Sequence, residues 1–264
     1  METALQQRHD TALEIVQHAS VTAHNYFRDI DKLVIEQKGK QDLVSDADKG
    51  VELQIRAALQ ENFPGDGIIG EEHGRIASES GYTWVIDPID GTTSFVSGMP
   101  GWCVVLACVK SDETVLGIII DPIAQETYIG IKSEGATING RTLQVSKSQS
   151  FADGSTAVGY SMRAGIDPTL QALKAIMDAG GVFYRCGSGA LMLCYVAAGR
   201  LVGYCEPHMN AWDCIAALLI ISEAGGELDP FDMSTMLDEG GSVITACPGV
   251  YPELLKICKQ ALYS

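Results

Sequence analysis

Acidic side chains follow apolar segments at three places in this 264-residue sequence. Glu71 and Glu72 lie in IIGEEHG, Asp87 and Asp90 lie in WVIDPIDGTTSF, and Asp213 lies in NAWDCIAALL. Carboxylates that converge on one cavity repel one another and raise each other's pKa, so a proton or a metal ion must compensate their charge. Oxygen-only ligands favour a hard ion such as Mg²⁺ or Mn²⁺. The motifs therefore predict a magnesium site if the fold brings them together.

The segment around Asp90 has the composition of a phosphate-binding loop. Gly91 and Thr92 follow it directly, and such a turn exposes backbone N–H groups and a hydroxyl to a phosphate oxygen. The preceding apolar run ends at Asp87, and we expect Pro88 to stop regular strand pairing so that a turn carries Asp90 back beside Asp87. Metal binding and phosphate binding would then share one loop.

Each of these acids also has a purely structural interpretation. A lone DPxDG segment is commonly a turn, and Glu71 and Glu72 could be solvated. Asp48 fits the third position of a helix capped by Ser45, and Asp213 taken alone is better explained as a capping acid. Only the joint occurrence of the motifs, in this order and spacing, favours a catalytic site.

Charge and hydropathy argue against several functional classes. A formal net charge of −16 leaves no basic stripe for a nucleic-acid backbone, so no nucleic-acid partner is expected. The most apolar stretch, residues 214–221, is far shorter than the roughly 20 residues that cross a bilayer, so no membrane partner is expected. The N-terminal segment lacks the features of a signal peptide, which favours a cytoplasmic address.

Cysteine and histidine spacing predicts neither disulfides nor a zinc site. The eight cysteines lie mostly in apolar runs and form no CxxC pair, which indicates buried, reduced thiols. The five histidines are scattered and match no zinc motif.

Helical and strand periodicities divide the chain into two halves. The first half, residues 1–147, begins with a long helix, a loop at residues 37–44 and a second helix capped by Ser45, and β-rich runs follow. The second half, residues 148–264, alternates strands and helices, and the polar segment at residues 146–155 is the candidate boundary. The pattern predicts a mixed α/β (α+β) protein with helices on both sides of a sheet.

Taken together, the motifs resemble those of the inositol monophosphatase family of lithium-sensitive, magnesium-dependent phosphatases. The resemblance runs through KGKQDLVSDADKGVE, FPGDGIIGEE, WVIDPIDGTTSF, NGRTLQVS, CGSGALMLCYVAAGRLVGYCE and NAWDCIAALLIISEAGGEL, and so spans nearly the whole chain. It implies a layered αβαβα sandwich of the sugar-phosphatase type. It also implies a homodimer, with two or three Mg²⁺ ions between the halves of each chain and Mn²⁺ as a possible substitute.

The resemblance implies roles for individual residues. The implied metal ligands are Glu71, Asp87, the carbonyl of Ile89, Asp90 and Asp213. The implied catalytic residues, which orient the attacking water, are Glu71, Thr92 and Asp48, the last through a contact with the Thr92 hydroxyl. The implied contacts to phosphate and to substrate hydroxyls are Asp90, Gly91, Thr92, Gly189, Glu206 and Asp213. Lys38, in a loop near the third metal, and Glu72 are further implied contacts.

The implied reaction is hydrolysis of a small polyol or sugar phosphate, above all myo-inositol monophosphate, by metal-activated water. Two positions depart from the family's pattern and bear on the substrate: Ser94, where Asn is commoner, and Gly189, where Ala is common. Histidinol phosphate, fructose 1,6-bisphosphate and a 3′-phosphonucleotide are alternative substrates on the same fold. A regulatory, protein-binding member of the family is the alternative from a different class.

Overall fold

Helices and strands alternate in the computed structural model, which describes residues 3–39 and 42–263 and the side chains of residues 3–36 and 45–261. The α-helices of this part are α1 (Thr3–Arg28), α2 (Asp46–Asn62), α3 (Thr92–Val96), α4 (Asp167–Asp178), α5 (Gly189–Ala197), α6 (Ala211–Glu223), α7 (Met233–Glu239) and α8 (Tyr251–Tyr263). The strands are β1 (Ile35–Gly39), β2 (Asp42–Ser45), β3 (Gly67–Gly70), β4 (Tyr82–Asp90), β5 (Cys103–Lys110), β6 (Glu113–Asp121), β7 (Glu126–Ile131), β8 (Gly135–Ile138), β9 (Arg141–Thr142), β10 (Ser155–Val158), β11 (Val182–Tyr184), β12 (Gly203–Met209), β13 (Glu227–Leu228) and β14 (Gly241–Ala246). None of the described helices is both long and apolar enough to cross a membrane.

Two mixed sheets form the frame of the molecule. The larger has seven strands in sequence order from β3 to β9, with β3 parallel to β4 and the following pairs antiparallel. The smaller has the order β11-β10-β12-β14-β13, with β10 parallel to both of its neighbours. Helices α1 and α2 cover one face of the large sheet, α5 and α6 fill the space between the sheets, and α4 and α8 cover the outer face of the small sheet. The layers are αβαβα, which confirms the predicted fold class.

Strand β5 separates two hydrophobic cores. Val105 and Ala107 belong to the core that contains α5 and α6, whereas Val104 and Leu106 belong to the core that contains α1 and α2. Successive side chains of a strand point to opposite faces, and here both faces are buried. This explains why the strand is apolar from Cys103 to Val109, although both of its neighbours are antiparallel.

Helix α6 lies directly against the large sheet because two strands carry glycine beneath it. A Cβ on Gly117 of β6 would stand 2.5 Å from the carbonyl oxygen of Ala216, and one on Gly130 of β7 would stand 2.9 Å from Cα of Ile220. Any side chain at these positions would push the helix off the sheet. The glycines therefore set the height of α6 above the strands.

The predicted start of α2 is confirmed. Ser45 Oγ accepts a hydrogen bond from the N–H of Ala47 at 3.2 Å, and the N–H of Ser45 donates to Asp48 Oδ2 at 2.8 Å. The Ser45 side chain also accepts from the N–H of Asp48. This bond and the bond from the Ser45 N–H to Asp48 form a reciprocal capping box, which satisfies N–H groups that the first turn of a helix leaves without partners. The long first helix is also confirmed, with a buried face formed by Ala12, Ile15, Val16, Ala19 and Ala23.

The sequence predicts a loop at residues 37–44, and this prediction is wrong for the residues that the structure describes. Its described residues belong to β1 and β2, an antiparallel ribbon in which Ile35 lies opposite Ser45 and Glu36 opposite Val44. A two-stranded ribbon outside the main sheets has no need for an apolar face, so its sequence carries no alternating pattern.

Strand β4 continues past the point where the sequence predicts its end. Asp87 pairs with Val105 and Asp90 pairs with Cys103, so three steps on β4 match two steps on β5. This is a β-bulge, which absorbs Pro88 without ending the strand. Helix α7 also has no counterpart among the predicted elements, because its seven residues are too few to show a helical period.

The division at residues 146–155 stays a prediction. The large sheet uses strands from residues 67–142 and the small sheet uses strands from residues 155–246, which agrees with two halves. However, one core contains residues of both, because α6 from the second half packs on β5, β6 and β7 from the first.

Candidate active site

Three acids meet where β4 approaches the start of α6. Asp87 and Asp90 come from β4 and Asp213 comes from the first turn of α6, and one carboxylate oxygen of each lies within 4.8 Å of the others. Residues 87 and 90 are three apart and would face opposite sides of a regular strand. Because the bulge between them adds one residue, both carboxylates lie on the same side of the strand, next to Asp213.

Asp90 is buried and is bonded to the start of helix α5. Its Oδ2 accepts hydrogen bonds from the Ser188 hydroxyl and, at 2.7 Å, from the N–H of Ala190. Burial and the nearby charge of Asp213 raise the pKa of Asp90 to about 7, and the bonds from Ser188 and Ala190 oppose this shift. The ionised carboxylate is held by donors but still needs further positive charge.

The other two acids are held in a similar way. The N–H of Ile89 donates to Asp87 Oδ1 at 3.0 Å, and burial, followed by the charges of neighbouring acids, raises the pKa of Asp87 well above its usual value. The N–H of Asn210 donates to Asp213 Oδ2 at 3.0 Å, and burial is the main cause that raises the pKa of Asp213 to about 6. Asp213 is thus a capping acid and a member of the cluster at once.

The donor set of this cluster fits a hard divalent cation. All its ligand atoms are carboxylate oxygens, and their raised pKa values show that the ionised acids lack compensating charge in the protein alone. Such oxygens suit Mg²⁺, Mn²⁺ or Ca²⁺. Glu71 lines the adjoining cavity, and its charge also raises the pKa of Asp87.

The expected contact between Thr92 and Asp48 is present. Thr92 Oγ1 lies 3.1 Å from Asp48 Oδ1 and 3.1 Å from the carbonyl oxygen of Ile89, so the hydroxyl has an acceptor on either side. Burial raises the pKa of Asp48, whereas the bonds from Ser45 and Thr92 lower it. Asp48 joins the cap of α2 to the loop that follows β4.

Gly91 lies at a position that only glycine can take. Its φ is +99°, and a Cβ there would stand 2.7 Å from the carbonyl oxygen of Gly101. The turn leads directly into the short helix α3, whose first residue is Thr92. This geometry brings the backbone of Gly91 and Thr92 next to the acids.

A cavity of about 990 Å³ opens above the cluster. Its charged and polar lining includes Glu71, Arg163, Arg185, Glu206, His208 and Asp213, and its apolar lining includes Met99, Tyr160, Met162 and Trp212. The Tyr204 hydroxyl donates to Glu206 Oε2, and burial raises the pKa of Glu206 to about 7. Gly189 lies nearby, since a Cβ on it would stand 3.5 Å from the Tyr204 hydroxyl.

The structure places the remaining expected residues, Glu72, Lys38 and Ser94, in three different surroundings. Glu72 follows Glu71 in the loop after β3, and its N–H donates to Glu52 Oε2 at 2.7 Å. Lys38 lies in β1, and its side chain is outside the described part of the chain. Ser94 is buried next to Gly187, where a Cβ would stand 2.8 Å from the Ser94 Cβ, and it is one of the residues that line the cavity.

Sequence reasoning did not identify three residues that hold the acids in place. Ser188 is the cap of α5 and also donates a hydrogen bond to Asp90. Asn210 caps α6 and donates to Asp213, and the buried Glu52 binds the loop behind Glu71. The position of Glu52 four residues after Asp48, on the same face of α2, was a usable signal.

Comparisons with known proteins agree with this architecture. The model of the inositol monophosphatase family matches residues 4–261. The Nus factor SuhB of Haemophilus influenzae is 35% identical over 249 residues, covering 92% of each chain. The inositol-1-monophosphatase of Mesorhizobium japonicum is 36% identical over 241 residues, covering 89% of this chain and 90% of the relative. The crystal structure of the extragenic suppressor protein suhB from Bartonella henselae superposes with a TM-score of 0.87 at 28% identity, covering 96% of this chain and 97% of that one.

The layered fold and the acid cluster define an αβαβα sandwich with a candidate metal centre between its halves. The chain belongs to the inositol monophosphatase family. Membership of this family indicates phosphatase activity.

Proposed function

We propose that this chain is a Mg²⁺-dependent phosphatase that hydrolyses the phosphate monoester of a small polyol, with myo-inositol monophosphate as the preferred substrate. The observation that supports it most is the convergence of Asp87, Asp90 and Asp213 below an open cavity. A protein that keeps three acids with raised pKa values together loses stability unless a cation binds there. Ligand binding explains why the cluster exists.

The proposed ligands are Glu71, Asp87, the Ile89 carbonyl, Asp90 and Asp213. Bound Mg²⁺ would supply positive charge to the phosphate and lower the pKa of a water molecule. The acids of this chain hold that charge in place, Asp87 and Asp90 from buried positions and Glu71 and Asp213 from the cavity lining.

The Thr92–Asp48 pair orients the attacking water in this proposal. When the Thr92 hydroxyl donates its proton to Asp48, the lone pairs of Thr92 Oγ1 are left to accept a hydrogen bond from water. Glu71 is the second acceptor for the same water. The N–H groups of Gly91 and Thr92 bind the phosphate oxygens, because φ > 0 at Gly91 turns this backbone towards the acids.

The alcohol part of the substrate lies towards Glu206 and Gly189. A carboxylate and a backbone N–H can together bind neighbouring hydroxyls of a polyol, and Tyr204 fixes the direction of the Glu206 carboxylate. Ser94, which lines the cavity, and Gly189 both depart from the family pattern, and both bear on the substrate. Histidinol phosphate, fructose 1,6-bisphosphate and a 3′-phosphonucleotide are therefore the competing substrates.

The experiment is phosphate release from these four kinds of substrate with Mg²⁺, with EDTA and with added Li⁺. The expected result is Mg²⁺-dependent, Li⁺-inhibited release that is fastest with inositol 1-phosphate. If another substrate releases phosphate fastest, only the substrate assignment changes. Equal release in EDTA would refute the metal-dependent mechanism. An Asp90→Asn variant measured in parallel controls for contaminating phosphatases.

A regulatory, protein-binding role is the second candidate, because the relative from Haemophilus influenzae carries the name Nus factor SuhB. The intact acid set favours the enzymatic role. Absence of phosphate release from every substrate, despite Mg²⁺ binding, would favour the regulatory role instead. The expectation that no nucleic acid binds stays a prediction, for which the net charge of −16 is the support.

We also propose that the protein is a homodimer. The edge strand β11 exposes all three of its side chains, Val182, Phe183 and Tyr184, and Met177 of the adjacent α4 is exposed as well. An apolar edge strand that remained uncovered would be prone to association. Light scattering after size-exclusion chromatography is expected to give twice the 28.2 kDa chain mass, and a monomer at micromolar concentration would contradict the proposal.

A further inference from the structure

We infer that Glu52 is a positioning residue that fixes the loop carrying Glu71 and thereby sets the metal affinity of the active site. The inference rests on the proposed function, because it takes Glu71 as a metal ligand. Glu52 lies on α2, is fully buried and does not line the cavity. It acts on the site only through the loop.

The carboxylate of Glu52 accepts bonds from the backbone directly after Glu71. Oε2 accepts from the N–H of Glu72 at 2.7 Å, and Oε1 accepts from the N–H of His73 at 3.2 Å. The ring Nδ1 of His73 also lies 3.2 Å from Oε1. One side chain thus replaces the partners that a strand would have supplied to two successive N–H groups.

Arg56 completes this arrangement one turn further along α2. Its Nη1 donates to Glu52 Oε1 at 3.1 Å, and its Nη2 donates to the carbonyl oxygen of Gly74. The guanidinium therefore compensates the buried charge of Glu52 and binds the end of the same loop. A buried carboxylate without such a partner would be strongly destabilising.

The loop is fixed on its other side by the large sheet. The N–H of Glu71 donates to the carbonyl oxygen of Ile86 on β4 at 3.3 Å, next to Asp87. Glu71 is therefore held between β4, which carries the acid cluster, and Glu52, which binds the two following N–H groups. Rotation of the backbone at residue 71 would break bonds on one side or the other.

Gly70 shows that the chain makes room for this contact. A Cβ on residue 70 would stand 2.5 Å from Cδ of Glu52 and would displace the carboxyl group. The φ of Gly70 is not in the left-handed region, so backbone conformation does not require glycine there. The approach of Glu52 is the physical reason for glycine at this position.

The test measures binding of Mn²⁺ alone to metal-free protein by calorimetry, in the wild type and in Glu52→Gln. Gln keeps the size of the side chain but weakens the bonds to both N–H groups and to Arg56. Loss of a residue that orients a metal ligand typically lowers metal affinity about 10–100-fold, and that is the expected decrease. High Mg²⁺ concentration is expected to restore most of the phosphatase activity.

Asp66→Asn is the matched control. Asp66 is also buried, lies just before the opposite end of β3, and accepts bonds from Arg8 and from Trp84 Nε1 at 2.9 Å. Replacing Asp66 by Asn disrupts a comparable buried ion pair but leaves the loop that carries Glu71 unchanged. Both variants are expected to lower Tm, but Asp66→Asn is expected to leave Mn²⁺ affinity within twofold of wild type, on the order of the measurement error.

Gly70→Ala provides a second test in which no charge changes. The added methyl displaces the end of a flexible side chain, so folding is retained while the Glu52 carboxylate moves away from the loop. A similar decrease in Mn²⁺ affinity is expected. If both Glu52→Gln and Gly70→Ala bind Mn²⁺ as tightly as Asp66→Asn, the role of Glu52 is refuted, whereas a wild type that binds no Mn²⁺ refutes the proposed function itself.

Discussion

Replacing Asp213 by Asn should stabilise the metal-free protein at high pH. The pKa of Asp213 is raised from 3.8 to about 6, so the folded state binds more protons than the unfolded state between these values. Stability is therefore lost as the pH rises through this window, and the loss is complete above pH 6. A shift of about 2 units corresponds to about 3 kcal/mol of unfolding free energy.

The cost of the substitution is smaller than this gain. Asn can accept the same bonds from Asn210, so the cap of α6 is kept, and only the charge at the helix N-terminus is lost. That charge contributes about 0.5–1 kcal/mol. The net gain at pH 8 is about 2 kcal/mol, which raises Tm by roughly 4–8 °C for a chain of this size.

The assay is thermal unfolding in EDTA at pH 4 and pH 8, repeated with Mg²⁺. Asp213→Asn should exceed the wild type in Tm at pH 8 only, and Mg²⁺ should stabilise the wild type more than the variant. Asp153→Asn is the control with the opposite sign, because bonds from the N–H groups of Gln149 and Ser150 lower the pKa of Asp153. A variant at position 213 that is less stable than wild type at pH 8 in EDTA would refute the argument.

Three further substitutions test separate parts of the site. Thr92→Val removes the hydroxyl that faces Asp48 and should lower kcat about 100-fold, whereas Thr92→Ser should retain most of the activity in the same steady-state assay. Glu206→Gln should raise KM for a polyol phosphate several-fold, which corresponds to about 1 kcal/mol, and should leave hydrolysis of a simple aryl phosphate nearly unchanged. Equal effects on both substrates would contradict the role of Glu206 as a contact to substrate hydroxyls. Gly117→Ala should cost about 1–3 kcal/mol in urea unfolding, because the new methyl meets Ala216 of α6, and an unchanged midpoint would show that the helix is free to move.

Local signals in the sequence predict much of this structure. Ser45 and Asp48 predict the cap of α2 because capping depends on residues three apart, and apolar runs predict β5 and β6 because both faces of these strands are buried. The ribbon of β1 and β2 could not be predicted in this way, since it contributes no apolar face to either core. The bulge in β4 depends on pairing with β5 and is invisible in β4 alone.

The candidate site shows the same limit. Asp87, Asp90 and Asp213 could be selected by residue type and motif, but their raised pKa values arise from burial, which depends on the whole fold. Ser188 and Glu52 act through hydrogen bonds to residues distant in sequence. In the sequence, Ser188 is explained as a helix cap and Glu52 as a residue within a helix. Neither explanation reveals the second contact of the side chain.

The bond between Asp90 and α5 has a mechanical consequence. Asp90 is on the large sheet, whereas Ser188 and Ala190, which donate to it, are at the start of a helix in the second half of the chain. A sliding movement of α5 relative to the large sheet would therefore displace a carboxylate of the acid cluster directly. The position of α5 relative to the large sheet and the shape of the acid cluster are therefore coupled, so a force that acts on α5 would reach the active site directly.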